Sequence, residues 1–207
     1  MSEPKAEAQA LEEVVPGVYS WHIADERIGG FTSAAHAVSG DEGGYVLIDP
    51  LPLAEPELAR LEPVEAIVLT SAGHQRSSWR YRARFGVEVT LPEGSRATDE
   101  EPDGHYGAGA RLPGGLEAVH VPGPEGAHYA LLLERDGGVL FCPDLLMRLP
   151  DGALVLVPAE YHDDPAETRR SVEHLLELPF SVLCLNHGPP LVDDPKRAIS
   201  DLLAATA

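Results

Sequence analysis

The segment from Ala66 to Arg80 constrains the fold more than any other part of the chain. An apolar run, Ala66–Leu69, stops at Thr70, and a short polar turn with glycine and histidine follows. The chain then continues into a segment that predicts a helix, with an arginine at every fourth position. A buried strand that leads through a polar loop into a helix is where α/β proteins usually place their chemistry. The segment therefore predicts an α/β protein with a functional loop after Leu69.

Strand and helix patterns continue along the rest of the chain. The predicted strands are 14–21, 36–39, 45–50, 66–69, 87–91, 116–121, 129–134, 138–141 and 181–185, and the predicted helices are 55–61, 77–85, one that begins at Asp164 and one over 194–204. A tight turn is predicted at 40–44, and a helical turn at 6–11. With no repeat and no linker, we expect a flexible acidic tail over residues 1–13 and a single domain over residues 14–207.

The charge of the chain excludes some partners. It has 15 basic and 34 acidic residues, which gives a net charge of −19. Such a field repels nucleic acid and anionic membrane surfaces, so we expect neither as a partner. No apolar segment approaches the roughly 18 residues of a membrane span, and the N-terminus lacks the features of a secretory signal. We therefore expect a cytoplasmic protein, in which Cys142 and Cys184 stay free thiols.

Landmarks in order along the chain resemble the metallo-β-lactamase superfamily. They are Val46–Pro50, Leu69–Thr70, Val121–Gly123, Leu140–Asp144 and Leu185–Pro190. They are similar to the family's Leu-Ile-Asp strand end, its His-x-His-x-Asp-His segment, its Pro-Gly-His, its Phe-x-Gly-Asp and its late Gly-His-Gly. The resemblance covers about residues 15–203. It implies a four-layer αββα sandwich with the site at one edge, lined by the loops after Leu69, Gly123, Asp144 and His187.

The same resemblance shows where this chain departs from the family. The ligand positions of the metal motif hold Ser71, Gly73, Gln75 and Arg76, and the histidine of Pro-Gly-His becomes Pro124. Asp144 and His187 stand at two ligand positions that the chain retains. A firmly held zinc, iron or manganese ion needs about three protein ligands or more. We therefore expect no metal cofactor and no ordinary metallohydrolase activity.

Arg76 suggests what could fill the site instead. A buried Asp144 needs a compensating charge, and a guanidinium matches a carboxylate in a bidentate pair. Our first hypothesis is that Arg76 pairs with Asp144, with His187 bonded to the same cluster. The alternative is that Arg76 points to solvent in a stripe with Arg80 and Arg84, which could also bind an anion at the helix N-terminus.

A second hypothesis retains one zinc or iron ion. His74 lies one residue beyond a family ligand position, and a small shift of the loop would bring it to Asp144 and His187. His128 and His120 are further candidates near this site. Such a site would suit hydrolytic or oxygenase-like chemistry.

Two classes of function follow from these hypotheses. The first is a divergent hydrolase with a mononuclear or metal-free site at Asp144, His187 and Arg76. The second is a protein without catalysis that binds a small molecule or a partner through the old cleft, with Arg76, His74 and His128 as ligand-binding residues. Because members of the family are often dimers, the resemblance also makes a homodimer an expectation.

Overall fold

The computed structural model of the protein describes residues 3–40 and 43–206, without the side chain of Asp136. The strands are β1 Glu12–Val15, β2 Val18–Asp25, β3 Phe31–Ser39, β4 Tyr45–Ile48, β5 Val64–Val68, β6 Glu88–Pro92, β7 Gly104–Tyr106, β8 Arg111–Leu112, β9 Leu116–His120, β10 Tyr129–Leu133, β11 Val139–Cys142, β12 Leu146–Arg148, β13 Leu154–Leu156 and β14 Val182–Leu185. The α-helices are α1 Glu55–Leu58, α2 Ser78–Phe85, α3 Pro165–Leu175 and α4 Pro195–Ala205.

The strands form two mixed sheets and a small separate hairpin. The first sheet has the order β1-β2-β3-β4-β5-β6-β7, and the second has the order β14-β11-β10-β9-β8. β4, β5, β6 and β7 run parallel to one another, as do β11 and β14, while the other pairs are antiparallel. Strands β12 and β13 form the hairpin. The carboxyl ends of the parallel strands in both sheets are therefore available to form one site.

Three apolar layers hold the sheets and helices together. One layer packs α1 and α2 on the outer face of the first sheet, where Trp21 is fully buried and its indole N–H donates to the Leu51 carbonyl at 3.0 Å. The middle layer fills the space between the two sheets, and the third packs α3 and α4 on the second sheet. This alternation is the predicted αββα sandwich, and it follows from strands that are apolar on both faces.

The predicted helix ends are confirmed at the residues that carry the signals. The side chain of Asp164 accepts from the Glu167 amide at 2.9 Å at the start of α3, and Gly86 ends α2 with a φ of 67°. Helix α2 begins at Ser78, so Arg76 lies before it with a φ of 38°. The conformation of Arg76 turns its side chain away from the helix surface, which matters for the site.

The N-terminal segment packs in part on the domain. Ala8 donates its amide to the Pro52 carbonyl at 3.0 Å and is 3% exposed, and the predicted helical turn at 6–11 is not formed. The flexibility of residues 1–13 and the single domain over 14–207 stay predictions. Of the predicted turn 40–44, residues 41–42 lie outside the described part. Among the described residues, no helix is both long enough and apolar enough to cross a membrane.

Candidate functional site

The candidate site lies where the parallel strands of both sheets end. Asp49 follows β4, Thr70 follows β5, Asp144 follows β11, and Asn186 follows β14. These four strand ends meet at one edge of the sandwich. The loops after β5, β11 and β14 were predicted to line the site, whereas the end of β4 was not. Hydrogen bonds join their side chains into one cluster, which also contains His74 and His187. We call these six residues the histidine–aspartate cluster.

Asp49 is the most buried member of the cluster. Its carboxylate is fully buried and accepts from the Thr70 amide at 2.8 Å, the Thr70 hydroxyl at 2.5 Å and the Asn186 side-chain amide at 2.7 Å. Burial acts to raise the pKa of Asp49, but the charges of His74 and Arg76 and these hydrogen bonds lower it. The lowered pKa favours an ionised carboxylate at Asp49, and three hydrogen-bond donors surround it.

His74 lies between two carboxylates. Its Nδ1 lies 3.2 Å from Oδ2 of Asp49 and 2.9 Å from the Thr70 hydroxyl, and its Nε2 lies 3.1 Å from Oδ2 of Asp144. The ring is 5% exposed. Burial disfavours the charged ring, but the Asp144 and Asp49 carboxylates outweigh it and raise the pKa of His74 to about 9. The raised pKa favours the imidazolium form at neutral pH, which places one positive charge between the two carboxylates.

A short turn places the His74 ring there. Residues Ala72–His74 form one turn of 3₁₀-helix, and the Ser71 hydroxyl at its start accepts from the Gly73 amide at 3.2 Å. The turn occupies the segment in which relatives would carry their first metal ligands. The structure brings His74 to Asp144 and His187, as the second hypothesis expected, because both rings contact the Asp144 carboxylate.

Asp144 and His187 form the more open half of the cluster. Nε2 of His187 lies 3.0 Å from Oδ1 of Asp144, and its Nδ1 lies 2.9 Å from the Thr32 carbonyl. The Asp144 side chain is 31% exposed and that of His187 is 15% exposed. Burial acts to raise the pKa of Asp144, but the two histidines hold it well below its ordinary value. Any molecule that reaches the cluster from solvent therefore meets these two side chains first.

Arg76 corrects our first hypothesis. The side chain is buried as predicted, but its Nη1 donates to the carbonyls of Ala34 at 2.7 Å and Asp49 at 3.0 Å, and it forms no bidentate pair with Asp144. The Asp144 oxygens are already occupied by the two histidines. A sequence comparison could not foresee this, because it depends on the left-handed backbone at Arg76.

The predicted arginine stripe is also wrong. Arg76 points inward, whereas Arg80 pairs with Glu3 at 2.9 Å and Arg84 pairs with Glu55 and Glu62. Because the three guanidinium groups share no surface, they do not form the anion site that their spacing suggested. Arg80 and Arg84 make ordinary surface ion pairs, which contribute little to stability.

The other predicted histidines lie outside the hydrogen-bonded cluster. His128 is 1% exposed, its Nδ1 bonds the Val121 carbonyl at 2.9 Å, and its Nε2 has no partner among the described residues. Burial lowers the pKa of His128 to about 4, against the opposing charge of Asp144. His162, which the sequence analysis did not single out, has an unpartnered buried Nε2 as well. His120 is exposed and bonds the Gly126 carbonyl.

Asp49, Thr70 and Asn186 were not predicted as members of the cluster. Each had a signal, because Thr70 and Asn186 directly follow predicted apolar strands and Asp49 lies near the end of the predicted strand 45–50. Polar residues in that position gather at one edge when their strands are parallel. What the sequence could not supply was the pairing of β4 with β5 and of β11 with β14, which brings the ends together.

Comparison with known proteins identifies the family. A sequence model described as "Metallo-beta-lactamase superfamily" matches residues 11–203. The chain belongs to the metallo-β-lactamase superfamily. No curated protein sequence matches it.

Solved structures of this superfamily share the fold at low sequence identity. The DIM-1 metallo-β-lactamase superposes with a TM-score of 0.75 at 13% identity, covering 98% of this chain and 99% of that one. A metallo-β-lactamase from Pontibacter korlensis gives 0.72 at 21% identity, covering 94% and 98%. A metallo-β-lactamase family protein from Thermus thermophilus gives 0.68 at 19% identity, covering 94% and 80%.

Two positive charges at the cluster disfavour a divalent ion there. The Asp144 and Asp49 carboxylates raise the pKa of His74, which favours the protonated ring, and a protonated ring has no lone pair for a metal. The buried guanidinium of Arg76 adds a second positive charge beside them. Within residues 3–40 and 43–206, no group of three or more His, Cys, Asp or Glu is placed to hold a metal ion.

The two cysteines offer no alternative ligands. Cys142 packs in the layer under α3 and α4, and Cys184 packs between the sheets, so the thiols lie on opposite faces of the second sheet. Burial raises the pKa of both thiols well above the ordinary value. Both are therefore apolar packing residues.

A cavity of about 340 Å³ opens beside the cluster. Its walls are the tip of the β2–β3 hairpin over residues 29–32, the segment 147–150 and the segment 187–189. His187 belongs both to this cavity and to the cluster. Phe31 at the rim is 54% exposed, which is unusual for a large apolar side chain.

Proposed function

We propose that the protein is a metal-independent member of the superfamily that binds a small molecule in the cleft beside His187. The observation that carries the proposal is the His74 ring between Asp49 and Asp144. In this account an organic cation of the chain itself takes the role that inorganic ions have in metal-dependent relatives. The protein then has no metal-bound water and no ordinary metallohydrolase activity.

The electrostatics of the cluster favour this account over a metal. A divalent ion at Asp144 would have to displace the proton of His74, whose pKa is raised to about 9. It would also have to enter beside the buried Arg76 guanidinium, and like charges at short range repel strongly in a dry environment. The loss of the ring from Asp49 would leave a fully buried carboxylate with one cation fewer.

Without a metal, the site can still bind a small molecule. The cluster holds His187 with both ring nitrogens on oxygen acceptors, at Asp144 and the Thr32 carbonyl. Its ring is therefore fixed as one wall of the cavity. A pre-formed concave site with a few fixed polar groups is the ordinary form of a small-molecule site.

The test is a metal analysis together with activity assays. Untagged protein is purified without chelator, and zinc, iron and manganese are measured by mass spectrometry, with a known metallo-β-lactamase as the positive control. We expect substoichiometric metal, and no hydrolysis of a β-lactam substrate with or without added zinc. A stoichiometric metal together with a hydrolytic activity that a chelator abolishes would overturn the proposal.

A mononuclear metal hydrolase is the second candidate. The unpartnered Nε2 atoms of His128 and His162 favour it, since both are buried and both feel the charge of Asp144. With Asp144 and His187 they would give a ligand set after rearrangement of His74. In that case metal content falls in His187→Gln and is unchanged in His22→Gln, whose side chain is exposed on β2.

The remaining expectations stand as part of the proposal. The net charge of −19 supports a protein that binds neither nucleic acid nor anionic membrane surfaces. A cytoplasmic location and a homodimer are proposed on the grounds given from the sequence. Light scattering of the purified protein tests the homodimer.

A further inference from the structure

We infer that a second cavity, beside Tyr129, takes a small hydroxylated ammonium ion such as an amino sugar. This cavity has a volume of about 560 Å³ and lies between the segments 93–96, 124–127 and 161–163. It shares no lining residue with the cavity beside His187. The inference therefore goes beyond the proposed function and does not depend on it.

Hydrogen bonds fix the segments that form the walls of this cavity. The Glu93 amide donates to a carbonyl of β7 at 2.8 Å, and the Asp163 amide donates to the Pro124 carbonyl at 3.3 Å. The His120 ring is hydrogen-bonded to the Gly126 carbonyl at 2.8 Å, which ties the end of β9 to the loop that follows it. The cavity is therefore pre-formed, as sites for small molecules usually are.

The hydroxyl of Tyr129 is a donor without an acceptor in the described part of the chain. Tyr129 is 7% exposed and lines the cavity. Its oxygen accepts from the Ala108 amide, while burial and the charge of Glu93 raise the pKa of Tyr129, so the hydroxyl keeps its proton at neutral pH. The hydroxyl proton of a buried side chain ordinarily has an acceptor. A hydroxyl oxygen of a ligand in the cavity would supply one.

The charges of the cavity walls select a cation. Three carboxylates and one guanidinium line the cavity. Arg96 pairs with Glu125 at 3.3 Å, so these two charges offset each other. Glu93 and Asp163 form no ion pair within residues 3–40 and 43–206, and the net charge of −19 adds to their negative field. A ligand that gains from these two carboxylates carries a positive charge.

An organic cation suits the walls better than a metal ion. In the described part of the chain, no three side chains of His, Cys, Asp or Glu converge closely enough to hold a metal ion. An ammonium group has three donors and needs no such convergence. The ring of Tyr161, which is 69% exposed, gives the ligand an aromatic face to pack on. A hydroxylated amine therefore matches the carboxylates, the Tyr129 proton and the aromatic wall together.

The test compares D-glucosamine with D-glucose, two probes of nearly equal shape that differ in charge. Each is titrated into the full-length protein at about pH 6.5, where an amine of this kind is protonated, and amide shifts are followed by NMR. We expect glucosamine to bind with a dissociation constant on the order of a millimolar, and glucose about tenfold more weakly. The shifts should cluster in residues 93–96, 124–127 and 161–163.

Two results of this titration would overturn the inference. One is equal binding of the two sugars, because the carboxylates would then contribute nothing. The other is that glucosamine at about 50 mM leaves the amides of the three wall segments unshifted, whether or not it shifts amides elsewhere.

Variants separate the contacts. Glu93→Gln should weaken glucosamine about threefold, and Glu93→Gln with Asp163→Asn about tenfold or more, without changing glucose binding. Glu88→Gln is the matched control, because it is exposed on the same strand β6 and changes the net charge equally. Tyr129→Phe keeps the ring and should weaken both sugars. Equal effects of Glu88→Gln and Glu93→Gln, or full binding by a folded Tyr129→Phe, would contradict the inference.

Discussion

Replacement of His74 by glutamine tests the core of the electrostatic account. Glutamine has a similar reach but stays neutral at every pH, so Asp49 and Asp144 lose the cation between them. The unchanged protein keeps that cation only while the ring is protonated. The difference in the free energy of unfolding between the two proteins must therefore depend on pH.

The magnitude follows from the pKa of His74, which is raised from its ordinary 6.5 to about 9. At about 1.4 kcal/mol per pKa unit, the shift corresponds to about 3 kcal/mol of folding stability. Because the folded-state pKa is the higher one, this stabilisation is fully present below about pH 6.5 and is lost as the pH rises through about 9. About half of it should be gone at pH 8.

The assay is urea unfolding of the unchanged protein and the His74→Gln variant between pH 6.5 and pH 10. We expect their difference in the free energy of unfolding to shrink by about 3 kcal/mol across this range. Effects of alkaline pH on other groups cancel in the comparison, and His22→Gln at an exposed position is the control. A difference that stays constant with pH would refute the reasoning, because it would mean that the His74 ring is neutral in the folded protein.

Three further predictions concern buried groups of the fold. Gly123→Ala should destabilise the protein by about 2 kcal/mol or more, because φ is 131° and a Cβ would lie 2.4 Å from a backbone nitrogen of α3, whereas Gly126→Ala has open space. Arg76→Met should lower the free energy of unfolding by about 3 kcal/mol, because two buried carbonyl groups lose their donor. The exposed Arg80→Met should lower it by less than about 1 kcal/mol. His36→Leu should make the protein less sensitive to acid, because burial lowers the pKa of His36 to about 4 and protons then favour the unfolded chain below about pH 6.5.

Each of these predictions has a direct measurement and a contrary result. Chemical unfolding at pH 7 measures the stability of the two pairs of variants. Equal losses of stability in Gly123→Ala and Gly126→Ala would contradict the steric explanation, and equal losses in Arg76→Met and Arg80→Met would contradict the burial explanation. Acid unfolding from pH 7 to pH 4 measures the His36 variant. A profile parallel to that of the unchanged protein would show that the buried ring does not contribute to acid sensitivity.

Much of the fold could be predicted because its signals are local. The helix start at Asp164, the helix end at residue 85 and the strands 129–134 and 138–141 each depend on a few neighbouring residues, and all of these elements are formed. The short hairpin of β12 and β13 was not predicted. Its strands have three residues each, too few for a periodic pattern to be recognised.

The site was less predictable because its partners are distant in sequence. The approach of His74 to Asp144 and His187 was part of the second hypothesis, which placed a metal there, and the approach itself is formed. The role of Asp49 was missed, since its bond to Asn186 spans 137 residues and needs the packing of both sheets. The predicted direction of the Arg76 side chain was wrong. A helical backbone was expected at this position, but Arg76 has a positive φ.

The contacts between β3 and the segment after β14 have a consequence for the order of folding. The His187 ring is hydrogen-bonded to the Thr32 carbonyl, and the His36 ring to the Leu185 carbonyl. The Ala34 amide donates to the Asn186 carbonyl at 2.7 Å. Contacts of such long range form late, because closing a long loop costs entropy before any contact rewards it. On a ribosome, Asp49 and His74 emerge long before Asn186 does. The interior charges of this protein must therefore stay hydrated until nearly the whole chain has been synthesised.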